Sequence, residues 1–186
     1  MQACLFLLIA AWLMNASGGA RWALAACAVA AAWAGTTLPD LDMPLGLGHR
    51  SGVTHSVLPV VAACWRRRWR PVAGGLALGI GLHLSADLFP NAMRGFATIK
   101  LPGLGALDAG QSYLWIAANG AAALIVGVAL IAAVTSRGAA AAVLAAVALT
   151  GIAYLTRTDG GWAALALFAV AGGAVGWRRA RRRAGG

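Results

Sequence analysis

Nearly all the acid–base chemistry available to this chain is concentrated in two short stretches. Residues 38–56, LPDLDMPLGLGHRSGVTHS, hold two aspartates, two histidines and an arginine, and residues 81–89, GLHLSADLF, hold a histidine and an aspartate four positions apart. All three histidines (His49, His55, His83) and three of the five acidic residues (Asp40, Asp42, Asp87) fall here, in a chain without a single glutamate. On a helix His83 and Asp87 share one face, one turn apart, which suits two ligands to one ion. Asp40 and Asp42, between Pro39 and Pro44, are expected in an extended segment whose alternate residues point the same way. Two carboxylates aimed at one point repel unless a cation lies between them. Adding His49 and His55 gives a mixed carboxylate and imidazole set suited to zinc or a related divalent ion, one or two in number. Six such groups exceed the needs of one structural zinc, and the set contains no cysteine. The set therefore points to a catalytic metal, which lowers the pKa of bound water from about 15.7 toward ~7. Asp42 or His55 would be the general base. Arg50 would clamp a phosphate or oxyanion, with Arg94 and Lys100 as further substrate-binding cations. Each of these three also has an ordinary reading as an interfacial cation. Thr54 and Ser56 flank His55 and could orient its ring or cap a helix that starts near residue 54, capping being the role expected of them.

The elements that must hold these residues are set by composition. The chain has 186 residues, 61% hydrophobic and 11% charged, with a mean hydropathy of +0.77, far more apolar than a soluble domain. A soluble helical protein with an alanine-rich core is the alternative. Against it stands the length of the apolar runs, which approach the ~20 residues needed to cross a bilayer. An all-α, polytopic membrane bundle of six or seven spans is expected, forming one integral domain over 1–186, with a polar metal-binding loop at one face. Residues 38–102 form its motif-bearing core, and 178–186 a basic cytoplasmic tail. The runs are 3–14 (short, and unlike a signal peptide because no basic residue precedes it), 22–38, 54–65, 72–89, 113–134, 139–155 and 162–177. Proline and glycine interrupt the connection 90–112, arguing against one continuous helix there. Cys4, Cys27 and Cys64 lack a CxxC spacing and read as small packing residues.

Net charge is +10, yet the basic residues gather in RRRWR (66–70) and RRARRR (178–183), each beside an apolar run. That placement suits anionic lipid headgroups and tryptophan anchoring better than nucleic acid, which is not expected as a partner. Threading seven spans back from a cytoplasmic C-terminus puts eleven of the fifteen Lys and Arg inside, leaving Arg50, Arg94, Lys100 and Arg157 outside. Both polar patches then meet on the outer, periplasmic or extracellular, face of a plasma membrane, with Asp87 about 5 Å and His83 about 10 Å below Pro90 by helical rise. Taken alone, His83 and Asp87 read as a buried hydrogen bond locking two spans together. The second patch on the same face moves the reading to a metal site. Asp108 and Asp159 are expected as solvated loop residues.

These motifs carry a resemblance. LPDLD, then GHRSGVTHS, then GLHLSADLF resemble the YdjM-like family of inner-membrane metal-dependent hydrolases, over residues 38–102. The resemblance implies metal ligation by Asp40, Asp42, His49, His55, His83 and Asp87. Met43 stands where many members carry a further histidine, and Gln2 is the nearest polar residue to an early Thr-His pair that is missing, which implies a smaller ligand set. Headgroup depth favours a lipid or lipid-linked ester, above all a phosphoester, as substrate. Two other classes remain: a metal or proton transporter, which calls for ionisable residues deep in several spans, and a non-catalytic membrane scaffold with a structural metal.

Overall fold

In a computed structural model, which describes residues 2–16, 18 and 20–184, the chain is helical. Among those residues seven α-helices form: α1 (Gln2–Ala16), α2 (Arg21–Gly35), α3 (Leu58–Cys64), α4 (Arg70–Asp87), α5 (Ala109–Val134), α6 (Arg137–Leu155) and α7 (Gly161–Ala184). A small antiparallel hairpin, β1 (Lys100–Leu101) and β2 (Gly105–Ala106), lies in the α4–α5 connection, where proline and glycine forbid a helix.

Helix length separates the apolar runs. Among the described residues only α5 and α6, with 26 and 19 residues, are both long and apolar enough to cross a membrane. Helices α1 and α2, at 15 residues each, are shorter apolar helices. The run 54–65 is corrected: α3 has seven residues, about 10 Å by helical rise, and cannot span. Helix α7 continues through the basic stretch to Ala184, with Arg181 4.8 Å over the Trp177 ring; positions 185 and 186 of the expected tail lie outside the described residues.

Helix α4 is the axis of the bundle. It packs chiefly against α2 and α5, and also touches α3, α6 and α7, so every residue from Pro71 to Ala86 is buried. Its glycines explain how. A Cβ on Gly75 would collide with the Ala28 carbonyl, and one on Gly79 with the Ala32 carbonyl, so the α2 and α4 backbones meet directly, as small residues spaced four apart allow. On the opposite side Gly81 accommodates Leu124 of α5, and Gly127 of α5 accommodates Leu78. Positions 75, 79, 83 and 87 form one stripe along α4. Where α2 ends, at Gly35, the glycine stripe gives way to His83 and Asp87.

The helices alternate between two ends. Arg21 lies beside Val134 and Ser136 at one end; Cys4 and Leu5 lie beside Leu41 and Leu45 at the other. All five aspartates belong to the second end, which carries the loops 36–57, 88–108 and 156–160. Between the ends, large apolar side chains such as Leu8, Trp12, Ile125, Leu149 and Val170 are exposed on the outer helix faces.

Candidate metal centre

The loop between α2 and α3 does not run extended. Residues Pro39–Asp42 form a 3-10 turn, started by a proline whose fixed φ suits the first position. The turn separates the two aspartates that were expected to point together: Asp42 is fully buried, while the Asp40 side chain is 57% exposed. The following segment is pinned to the hairpin, with Gly52 N–H donating to the Lys100 carbonyl at 2.7 Å and Lys100 N–H to the Arg50 carbonyl at 3.0 Å. From α5, the Trp115 indole N–H donates to the His55 carbonyl at 2.9 Å, and the Asn119 side chain accepts from Val57 N–H at 3.1 Å. His55 is thus fixed by its backbone on two sides.

Three side chains converge. One Asp87 oxygen, Oδ2, lies 3.3 Å from His55 Nε2 and 3.5 Å from His83 Nε2, and one ligand atom from each of His55, His83 and Asp87 lies within 4.8 Å of the others. This group could hold a metal ion. Both rings are buried and meet edge to face at 5.3 Å between centroids. Asp40 Oδ1 reaches His83 Nε2 at 3.8 Å from the exposed side.

The nitrogens facing away from this point decide the tautomers. His83 Nδ1 is 3.0 Å from the Thr36 carbonyl, one of the carbonyls left without a helical partner at the end of α2. A carbonyl only accepts, so Nδ1 carries a proton, and in the neutral ring that ligation requires Nε2 presents a lone pair. His55 Nδ1 is 3.2 Å from Thr54 Oγ1, whose own proton goes to the Ser51 carbonyl, and 3.6 Å from Asp42 Oδ2. It too is the protonated nitrogen. Both imidazoles therefore turn Nε2 toward Asp87 Oδ2, a buried oxygen with no hydrogen-bond partner among the described residues. Three electron-rich atoms facing one point, at the C-terminal and negative end of α4, form a donor set that fits a divalent cation. Imidazoles whose second nitrogen is held by a carbonyl or carboxylate are the usual supported ligands of such ions.

The other expected site residues are placed differently. Asp42 stands behind His55: its Oδ2 accepts from Ser51 N–H at 3.2 Å and faces Nδ1, the nitrogen remote from the convergence point. That is a position for orienting a ligand. His49 lines the cleft that opens onto the group but is not among its converging ligand atoms. Its ring stacks on Phe96 at 4.0 Å, and burial pushes its pKa down, opposed by nearby Asp42 and assisted by Arg50. Arg50 is buried and engaged: one guanidinium nitrogen is 2.8 Å from Asp87 Oδ1, and another donates to the Ala97 carbonyl at 2.9 Å. It holds a positive φ of 57°, a conformation uncommon for a side-chain-bearing residue, which the buried ion pair and backbone pairing sustain. Lys100 donates to the carbonyls of Gly95, Phe96 and Thr98, closing its own turn. Arg94 is exposed and does not line the cleft. Thr54 does not cap a helix, since α3 starts at Leu58; it contacts the His55 ring. Asp108 is not a free loop residue: it caps α5, accepting from Gln111 N–H at 2.7 Å while the Gln111 side chain accepts from Asp108 N–H.

A polar cleft of about 350 Å³ opens onto the group, with Asp40, Arg50, His83, Asp87, Tyr154 and Thr158 among its walls. Tyr154, from α6, places its hydroxyl 2.9 Å from His83 Nδ1. No motif spacing points to Tyr154, Thr36 or Trp115, which lie outside the polar stretches in sequence. A lone tyrosine near the end of an otherwise apolar run is the one signal that could have drawn attention to α6. Against protein-family models, curated proteins and solved structures, the chain finds no match.

Proposed function

We propose that the chain is a polytopic membrane protein acting as a metal-dependent hydrolase at the bilayer boundary, on a lipid or lipid-linked ester and above all a phosphoester. The observation that carries this reading is Asp87 Oδ2, buried, without a hydrogen-bond partner among the described residues and faced by Nε2 of both His55 and His83. Zinc is the ion favoured by two imidazoles and a carboxylate, with Asp40 at the open side. When bound, such an ion supplies Lewis acidity and a nucleophilic water at neutral pH. The chain's own residues do the remainder. Thr36 and Asp42 hold the two rings in the ligating tautomer, Arg50 neutralises the outer oxygen of Asp87, and the exposed Asp40 is placed to accept a proton at the cleft. The cleft is open to one side, which suits a catalytic site. The sequence resemblance to the YdjM-like hydrolases supports the same reading.

The bundle's polarity supports the membrane placement. Eleven of the fifteen basic residues belong to the end opposite the cleft, which we assign to the cytoplasm, with anionic headgroups against RRRWR and RRARRR. The cleft then opens on the periplasmic or extracellular side of a plasma membrane. The short helices α1 and α2 would be accommodated by local thinning of the bilayer. The test is elemental analysis of the detergent-purified protein beside His83→Ala, followed by a phospholipid and lipid-phosphate hydrolysis screen. About one divalent ion per wild-type chain, lost in the variant, is expected. Equal metal content in the two proteins refutes the site.

A further inference from the structure

Tyr154 sits where no motif led, and its hydrogen-bonding options are limited. Its hydroxyl oxygen is 2.9 Å from His83 Nδ1, and the same nitrogen is 3.0 Å from the Thr36 carbonyl. The carbonyl accepts only, so the single Nδ1 proton is shared between it and the tyrosine oxygen, and Tyr154 is an acceptor toward the ring. Ligation through His83 Nε2 enforces the same tautomer, because a neutral imidazole bound at one nitrogen carries its proton on the other. The tyrosine proton is then left over. Among the described residues the ring nitrogen is the only hydrogen-bond partner of this hydroxyl, and the side chain lines the polar cleft beside His83, Asp87 and Arg50. A phenol O–H with its lone pair engaged and its proton facing a cleft is a donor waiting for an acceptor.

We propose that Tyr154 Oη forms an oxyanion subsite, donating its proton in a hydrogen bond to a phosphoryl oxygen of the substrate held in the cleft. This rests on the metal reading above. It also gives α6, outside residues 38–102, a direct part in binding: the hydroxyl lies at Nδ1 of His83, while Asp87 faces Nε2 of the same ring.

The test uses the full chain in detergent, loaded with Co(II), whose visible spectrum reports ligands, and titrated with inorganic phosphate. Tyr154→Phe keeps the ring and removes only the donor. The expected result is an unchanged Co(II) affinity and resting spectrum with phosphate binding about tenfold weaker than in wild type, the loss of one donor to a charged oxygen. Equal phosphate affinity in the two proteins, or no phosphate response in wild type, overturns the subsite and leaves the metal site standing. A Co(II) affinity or resting spectrum altered in Tyr154→Phe shows that the residue acts by holding His83, which also overturns it. Wild-type protein that takes up no Co(II) overturns the metal reading and the subsite together.

Discussion

Substituting Asp42→Asn separates two roles that the same carboxylate could have. Asp42 is fully buried, and its Oδ2 lies 3.6 Å from His55 Nδ1 while accepting from Ser51 N–H at 3.2 Å. The amide is nearly isosteric and can keep the Ser51 bond, so the 3-10 turn survives. What disappears is the negative charge behind His55 that favours its Nδ1–H tautomer and so turns Nε2 to the ion. Loss of such a supporting partner typically weakens metal affinity 10–100-fold, about 1.4–2.8 kcal/mol, whereas loss of a ligand such as His83 removes the ion at ordinary concentrations. Titration of the detergent-solubilised protein with zinc against a chromophoric chelator measures both. The expected pattern is an unchanged stoichiometry with affinity reduced 10–100-fold for Asp42→Asn, and no measurable binding for His83→Ala. Complete loss of zinc in Asp42→Asn would make Asp42 a direct ligand and refute the orienting role; an affinity equal to wild type would show that the carboxylate does not act on His55 at all.

Further outcomes follow from the same contacts. Arg50→Met leaves the inner carboxylate of Asp87 without its counter-ion and is expected to cost about 3–5 kcal/mol, read as a lowered unfolding midpoint, with the double variant Arg50→Met, Asp87→Asn partly recovering it. Gly79→Val forces a side chain onto the Ala32 carbonyl; separation of α2 and α4 should cost about 1–3 kcal/mol or more and also weaken zinc binding, because the Thr36 carbonyl leaves His83. Metal affinity should fall as the solution is made more acidic, since protons compete with the ion for the imidazole nitrogens; an affinity independent of pH would exclude imidazole ligation.

The sequence by itself determined the helical class, the apolar surface, the two polar stretches and the one-face relation of His83 and Asp87, because these depend on composition and on the helical repeat, which are local. It also carried the end-to-end segregation of acid and base. Tertiary structure decided what the polar residues face. Asp40 and Asp42 were separated by a 3-10 turn that the two prolines did not reveal; His49 was drawn onto Phe96; Arg50 was spent on Asp87; and the seven residues of α3 were too few to span, although their apolar run suggested otherwise. The convergence itself depends on glycines: with α2 pressed against Gly75 and Gly79, its last carbonyl meets His83, and α5 and α6 bring Trp115 and Tyr154 from more than fifty positions away. Such contacts are set by how closely helices approach and at what height each one ends, and neither quantity is written in the spacing of any single segment.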